Sequence, residues 1–468
     1  MIRTKKVKDM KKHFFTMACA IAAMAFTACD DYDIIQTEYD DMLVNPERQT
    51  VTPPDVDADW QLELIPDVGR QADNVFVYKD LKYNNIFSRT TGWNGGCGGI
   101  STLLPDGSIL WAFNDSYFGV VDAAERTRLS GNVPLNMLLV QRAHNGKVGE
   151  TPADLIALAD YVNWTDPNAD DYLYSRTFMR HPNAKGKTEE AIARGEVDGD
   201  QAYRIGGAVV ADGKVQMLWR GARVTTDNSN GVTMTQHSLS GAIPGGRYGT
   251  AVNDYKPQSG DFLAMAAEPS HLFITGSIPT GQAVFADADG HSYIYGVSGQ
   301  NIFVARSQTH DLTSPWEYYV RDATTGVMRW QTTFPTADEV ARSNIMANGY
   351  LAVHPTVFCD NGTYYMLTQA VANSTEVYLY SAAAPTGPFD NQVMLFNLPS
   401  FIDKIGITTY AQIGNVFAHP ELSRSGELVV SACTKAGNTA DNYTYAGSAD
   451  FTRPFFFRIF NWKAAAGK

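Results

Sequence analysis

The sequence predicts an all-β fold, a five-bladed β-propeller with a helical insertion between blades one and two. Two observations predict it: a hairpin signature that recurs five times, and the regular spacing of those hairpins. Each signature consists of two apolar, β-prone runs joined by a two-residue turn. The turns are Asp106-Gly107, Asp212-Gly213, Asp289-Gly290, Asn361-Gly362 and Ser425-Gly426.

The chemistry and the spacing of the turns both favour a propeller. Asp-Gly and Asn-Gly suit tight hairpins because both central positions need positive φ. The turns are 106, 77, 72 and 64 residues apart. A repeat of roughly 70 residues with a hairpin at its centre is typical of one blade with its loops. The alternative is that the hairpins belong to an ordinary β-sandwich.

The remaining elements are assigned from local patterns. Residues 142–202 interrupt the repeat, and helical spacing predicts helices over 151–162 and 187–195. Residues 73–78 are predicted to add an outer strand that closes the ring with the last blade. The five blades are predicted at 75–141, 203–270, 272–330, 350–398 and 410–462.

The N-terminus is predicted to be a lipoprotein signal peptide, residues 1–28. A basic segment precedes the apolar run 14–26, which is too short for a permanent membrane helix. Phe26-Thr27-Ala28-Cys29 resembles a bacterial lipobox, so Cys29 is the predicted lipidation site. The alternative is an ordinary secretory signal that happens to be followed by a cysteine.

An acidic stretch follows Cys29 and predicts the location of the mature protein. Asp30, Asp31 and Asp33 resemble the surface-export signal of Bacteroidetes lipoproteins. We expect residues 29–72 to be a lipidated tether with scattered prolines. The propeller domain, residues 73–468, would then be anchored to the outer membrane and exposed at the cell surface.

Composition limits the possible partners. The chain has 37 Lys and Arg against 50 Asp and Glu, a net charge of −13, which excludes charge-driven binding to nucleic acid. We expect a polysaccharide or oligosaccharide partner, outer-membrane lipid through the anchor, and a monomer. Cys97, Cys359 and Cys433 show neither metal spacing nor an obvious disulfide pairing. No cofactor is predicted, and an axial Ca²⁺ is left open.

Propeller geometry selects the candidate site residues. The innermost strand of each blade begins at the funnel mouth and the second strand returns there. Residues just before the first strand and just after the second therefore reach the mouth. The candidates are Cys97, Asp115, Arg204, Gln282, His354 and the triplet His419-Pro420-Glu421.

Blade one carries the sharpest prediction. Cys97 and Asp115 are nearly equidistant from the first turn, so they should face each other across the hairpin. The surrounding glycines leave the backbone open to a ligand, and Trp93 can stack on a sugar ring. The alternatives are that these glycines form a plain loop and that Asp115 satisfies a local turn.

The histidines and Arg204 are also predicted to lie at the mouth. His419 and Glu421 are two residues apart on a predicted strand, so their side chains point to the same side. They are either a candidate acid with its hydrogen-bonding partner or a structural ion pair. His354 precedes a proline as His419 does, which favours a binding or structural role. Arg204 can clamp a carboxylate or hydroxyl groups, but no partner is visible in the sequence.

Several segments together resemble an uncharacterised-domain family of Bacteroidetes surface lipoproteins, related to bacterial endo-D-arabinanase propellers. The matching segments cover most of the chain from about residue 74 to 460. They are Gly92-Trp93-Asn94-Gly95-Gly96, Pro105-Asp106-Gly107, Leu110-Trp111-Ala112-Phe113-Asn114-Asp115-Ser116, residues 136–141, Tyr293-Ile294-Tyr295-Gly296, Val304-Ala305-Arg306, Pro385-Thr386-Gly387-Pro388-Phe389, Ala418-His419-Pro420-Glu421-Leu422 and Gly426-Glu427-Leu428-Val429-Val430-Ser431.

The resemblance implies a five-bladed propeller that acts on polysaccharide, as a glycoside hydrolase or a relative of one. It also implies a carboxylate pair, one at the position of Cys97 and one matching Asp115. A thiol does not readily replace a carboxylate in glycosidic acid–base chemistry. Two hypotheses follow. One is a hydrolase with Asp115 and Glu421 as the acidic pair, helped by His419 and His354; the other is an inactive protein that binds glycan through Trp93, Asp115 and the His-Pro positions. The predicted substrate-binding residues are Trp93, Cys97, Arg204, His354 and His419, and a scaffold that contacts other surface proteins is a third alternative. In the second blade, Gly206-Gly207 occupies the position where an acidic or polar group is expected.

Overall fold

The computed structural model describes residues 58–65, 75–159, 161, 163, 166–170, 172–179, 201–211, 213–223, 229–238, 271–274, 281–352, 354–397, 412–424, 426–436 and 440–466. All of them lie in one compact unit, Pro54–Lys468. None of the helices in these ranges has the length and apolar character needed to cross a membrane.

The described residues form an all-β, propeller-like fold, which confirms the predicted fold class at that level. Strands β1 (Leu62–Leu64) and β2 (Phe76–Asp80) precede the first complete sheet. The first sheet contains β3 (Thr91–Leu103), β4 (Ile109–Val121), β5 (Arg128–Asn132), β6 (Asn136–Gln141) and β9 (Leu155–Ala157), and a small hairpin of β7 (Ala143–His144) and β8 (Lys147–Val148) projects from it. The second sheet contains β10 (Gln201–Ala211), β11 (Lys214–Arg223), β12 (Ser229–Ser238) and β13 (His271–Ile274).

Three further sheets follow the same antiparallel pattern. The third contains β14 (Ala283–Ala286), β15 (Ser292–Ser298), β16 (Asn301–Ser307), β17 (Trp316–Arg321) and β18 (Met328–Gln331). The fourth contains β19 (Thr356–Asp360), β20 (Thr363–Gln369), β21 (Glu376–Ala382) and β22 (Asp390–Asn397). The fifth combines β23 (Gln412–Ala418), β24 (Glu427–Lys435) and β25 (Pro454–Phe460) with β2 and β1.

Helices are few and short in the described ranges. The α-helices are α1 (Leu81–Ile86), α2 (Ala337–Arg342), α3 (Asp441–Thr444) and α4 (Trp462–Ala465). Single 3₁₀ turns occur at Ala58–Trp60, Pro152–Asp154, Pro420–Leu422 and Ser448–Asp450.

The first strands of the sheets meet around a common centre. Strand β10 contacts both β3 and β14, β14 contacts β19, and β23 contacts β3 and β20. A cavity of about 540 Å³ lies between these strands and is lined by residues from all five sheets. The sheets are therefore arranged radially, as blades are around an axis.

The N-terminal strand closes this arrangement, as the sequence predicted. Strand β2 pairs antiparallel with β25, so residues from both ends of the fold share the fifth sheet. Arg458 on β25 donates to Asp80 Oδ2 on β2 at 2.7 Å and also bonds to Glu427 on β24. All three side chains are almost completely buried. This charged cluster fastens the closing strand to the last sheet.

Three of the predicted hairpin turns lie completely within the described residues and occur where they were predicted, but two of these have a different geometry. Asn361 and Gly362 both have positive φ, 50° and 77°, as a two-residue turn requires. At Gly107 and Gly290 only the glycine has positive φ, 87° and 93°. These are type I turns followed by a glycine bulge. In the first, the Asp106 carboxylate accepts from the Ser108 amide at 2.9 Å and supports the turn. Asp212 and Ser425 lie outside the described residues.

The helix predicted over 151–162 is wrong where the structure describes it. Pro152–Asp154 forms one 3₁₀ turn, and Leu155–Ala157 is β9, which pairs with β6 at the outer side of the first sheet. All three residues of β9 are buried, so sheet packing overrides the helical spacing. The helix predicted over 187–195 lies outside the described residues.

Candidate functional site

Asp115 lies at a β-bulge where the first sheet meets the second. In the β3–β4 hairpin Gly96 pairs with Ser116 and Cys97 pairs with Asn114, which leaves Asp115 as the extra residue. Asp115 has a φ of 39°, an uncommon conformation for a residue other than glycine. The prediction that Cys97 and Asp115 face each other is wrong, because an irregularity between Gly98 and Ile100 has already shifted the register by one residue. The bulge at Asp115 takes its side chain out of the regular alternation of the strand.

Arg204 is the partner of Asp115. Its guanidinium forms an ion pair with the Asp115 carboxylate, which joins the first strand of the second sheet to the second strand of the first. The Asp115 side chain remains 44% exposed and that of Arg204 28% exposed. Next to this pair, the Asn114 side chain accepts from the Ile205 amide at 3.0 Å. The ion pair is thus fixed at its base and open to solvent at its outer side.

A second arginine extends the group of polar side chains. Arg220 on β11 pairs in register with Arg204 on β10. Its Nη2 lies 3.2 Å from Nε2 of His354, which precedes the first strand of the fourth sheet. We call Asp115, Arg204, Arg220 and His354 the mouth cluster. Sequence reasoning missed Arg220, although it lies nearly as far after the second turn as Arg204 lies before it.

His354 is neutral at ordinary pH. Burial and the nearby Arg220 guanidinium lower the pKa of its imidazole to about 3. Its Nε2 can therefore accept a hydrogen bond from Arg220. His354 is a hydrogen-bonding member of the mouth cluster and is not suited to proton transfer near neutral pH.

His419 and Glu421 lie at the other end of the innermost strands, so their predicted place at the mouth is wrong. The first strand of the fifth sheet is β23, and the triplet follows its last residue instead of preceding its first. The His419 ring is fully buried, with Nδ1 2.5 Å from Ser101 Oγ and Nε2 2.8 Å from Ser431 Oγ. Burial lowers the pKa of its imidazole to about 3. His419 is a core residue that links β3 to β24.

The two predicted catalytic carboxylates are not brought together. Glu421 lies beside Ser101, and burial raises the pKa of its carboxyl group. Ser101 pairs with Trp111, four residues before Asp115 on β4, which corresponds to about 13 Å along a strand. The carboxyl groups of a glycosidase pair lie about 5 to 9.5 Å apart. Glu421 instead lines the axial cavity together with residues 100–103, 355–359 and 417–418.

Trp93 is in the core, so the prediction that it stacks on a sugar is wrong. The side chain has no exposed surface, and its Nε1 donates to Ser116 Oγ at 3.3 Å. Its ring packs against Phe113 at 4.9 Å and Phe87 at 6.0 Å between centroids. The small glycines around it leave room for the indole inside the fold rather than outside it.

Gly206 and Gly207 have a structural role that explains the missing polar group. The Gly207 amide donates to the Gly281 carbonyl at 3.0 Å, which joins the second sheet to the third. A methyl group at Gly206 would overlap that same carbonyl. Gln282, the neighbouring candidate, is buried and donates to the Val297 carbonyl at 3.2 Å. Gly206 and Gly207 therefore lie where the second and third sheets are in close contact, and a larger acidic residue would not fit at Gly206.

Within the described residues, no group of three or more His, Cys, Asp or Glu side chains has a geometry that could hold a metal ion.

Comparison with known proteins places the chain in a family. Residues 80–462 match the model of a domain of unknown function, DUF5005. The chain belongs to this family. No curated protein matches it. Membership confirms the resemblance to an uncharacterised-domain family, whereas the Bacteroidetes origin, the lipid anchor and the arabinanase relationship stay predictions.

Solved structures also match this chain. A protein from Bacteroides ovatus described as a putative hydrolase is 39% identical, with a TM-score of 0.77, and the match covers 89% of this chain and 98% of that one. A GH43_1 enzyme from Xanthomonas citri in complex with xylotriose is 13% identical with a TM-score of 0.35, over 81% of this chain and 92% of that one. A xylan beta-1,4-xylosidase from Bacillus halodurans is 9% identical with a TM-score of 0.37, over 79% and 53%.

Proposed function

We propose that the protein binds a polysaccharide or oligosaccharide at the mouth of a five-bladed propeller, through the Asp115–Arg204 pair. The observation that carries the proposal is the position of Asp115, which a bulge displaces from the strand and an arginine holds in a half-exposed site. A carboxylate beside a guanidinium offers acceptors and donors to neighbouring sugar hydroxyls. An uncharged ligand also suits a chain with a net charge of −13.

Hydrolysis of the bound glycan is the second candidate function. The Bacteroides ovatus protein described as a putative hydrolase supports it. However, Cys97 stands where the resemblance implies a carboxylate, and Glu421 lies at the opposite end of the innermost strands. Cleavage by the usual route needs two carboxyl groups at one bond. Binding is therefore the function that the geometry favours.

A panel of glycans tests the proposal with two readouts. The purified protein is run through native gels that contain arabinans, galactans, mannans or bacterial wall glycans, and reducing ends are measured in parallel. We expect at least one glycan to retard the protein without release of reducing ends. Release that disappears in Asp115→Asn would establish the hydrolase instead. A panel in which no glycan retards the protein and none releases reducing ends would contradict both functions.

We also propose that lipid at Cys29 anchors the protein to the outer membrane, with the propeller exposed at the cell surface. The N-terminal pattern of basic residues, apolar run and lipobox supports this proposal. In a bacterial host that processes lipoproteins, the wild-type chain is expected in the membrane fraction and accessible to external protease. Cys29→Ser is expected in the soluble fraction. Equal fractionation of the two chains would contradict the anchor.

A further inference from the structure

Two cysteines from opposite ends of the chain meet beside the mouth cluster. Cys97 lies on β3 of the first sheet and Cys433 on β24 of the fifth. Their sulfur atoms are 3.9 Å apart, and the Cys433 sulfur is also 3.6 Å from the Gly96 carbonyl oxygen. Both residues are present as thiols. We propose that Cys97 and Cys433 form a disulfide that links the first sheet to the last.

The local backbone can accommodate the bond. A disulfide needs sulfur atoms about 2.05 Å apart, so the two atoms must approach each other by about 2 Å. Gly96, Gly98 and Gly99 flank Cys97, and Gly98 and Gly99 have φ values of 108° and 112°. Glycines leave the backbone on both sides of Cys97 freer to adjust its dihedral angles than other residues would.

The two thiols differ in access, which sets the order of the reaction. Cys97 is partly exposed, whereas Cys433 is completely buried. The Cys97 thiolate attacks an oxidant that itself contains a disulfide, and one thiol of the oxidant leaves. The Cys433 sulfur then attacks the Cys97 sulfur, and the second thiol of the oxidant leaves. In total the two cysteines lose two protons and two electrons, and the S–S bond of the oxidant is reduced to two thiols.

The disulfide would join the first sheet to the fifth covalently, in addition to the pairing of strand β2 with β25 in the fifth sheet. It joins residues 336 positions apart, and the stabilisation by a disulfide grows with the length of the loop that it closes. Oxidation is therefore expected to raise Tm by about 3 °C or more. Cys359 provides the internal control, because it lies on β19 and lines the axial cavity instead.

Peptide mapping tests the proposal directly. The full chain is incubated with oxidised glutathione at neutral pH, remaining thiols are alkylated, and tryptic peptides are analysed without reduction. We expect residues 90–126 joined to residues 425–435, lighter by two hydrogen atoms than the sum of the two peptides. The Tm increase should accompany the link, disappear with dithiothreitol, persist in Cys359→Ser and be absent from Cys97→Ser.

Two results would overturn the proposal. One is alkylation of both cysteines, or glutathione on Cys97 alone, with no joined peptide after prolonged oxidation. The other is a joined peptide that contains Cys359 in place of Cys433. Both are read on the wild-type chain, so they do not depend on whether a variant at the buried Cys433 folds.

Discussion

Replacing Arg458 by alanine is expected to lower the free energy of unfolding by about 4 kcal/mol, because it leaves two carboxylates buried without their cation. Arg458 bonds to Asp80 and Glu427, and the three side chains are between 0% and 4% exposed. Asp80 also accepts from the Tyr83 amide at 2.8 Å and so caps α1. Loss of the guanidinium thus weakens both the closing strand and the helix that follows it.

Urea unfolding with matched variants checks this prediction. Arg306→Ala is the control, because Arg306 forms a partly exposed ion pair with Glu317 within the third sheet. This substitution should lower the free energy of unfolding by about 1 kcal/mol or less. Combining Arg458→Met with Asp80→Asn and Glu427→Gln leaves no unpaired charge in the cluster. This triple variant should recover part of the lost free energy of unfolding. Equal losses for Arg458→Ala and Arg306→Ala would show that the buried cluster does not hold the closing strand.

Replacing Arg204 by alanine is expected to weaken glycan binding by about 30-fold, equivalent to about 2 kcal/mol for charge-assisted hydrogen bonds. The change removes the donor from the mouth and also frees the Asp115 carboxylate from the geometry in which Arg204 holds it. A mobile carboxylate loses more entropy on binding than a fixed one. Both effects act in the same direction.

Calorimetric titration of the glycan selected by the gel panel measures this effect. Arg329→Ala is the matched control, since Arg329 pairs with Asp322 at 3.5 Å on the outer hairpin of the third sheet. That variant should bind as the wild type does. If Arg204→Ala binds the glycan with wild-type affinity and unfolds as the wild type does, the ion pair is not part of the binding site.

Much of the fold was predictable because it depends on local turn chemistry and on strand length. Glycines at regular spacing mark the inner hairpins, and an apolar segment before the first blade pairs with the last strand. The helix predicted over 151–162 failed because a short apolar run such as Leu155–Ala157 fits a buried strand as well as a helix. Only tertiary pairing with β6 decides between the two.

The site was less predictable, because side-chain direction depends on register. The pairing of Arg204 with Asp115 required a bulge that no sequence pattern marks. The triplet His419-Pro420-Glu421 was predicted at the wrong end of the innermost strand. It follows β23, because a 3₁₀ turn at Pro420–Leu422 lies between β23 and β24. The place of Trp93 was not predictable for a similar reason: an aromatic residue among glycines can pack in the core or stack on a sugar ring, and here it is in the core.

The most direct test of the central claim compares the wild type with Asp115→Asn in the same glycan gels, with reducing ends measured in parallel. Asp322→Asn is the control for the loss of a paired surface carboxylate. The account predicts retardation of the wild type and of Asp322→Asn, loss of retardation in Asp115→Asn, and no release of reducing ends by any of them. Equal retardation of Asp115→Asn and the wild type would contradict it.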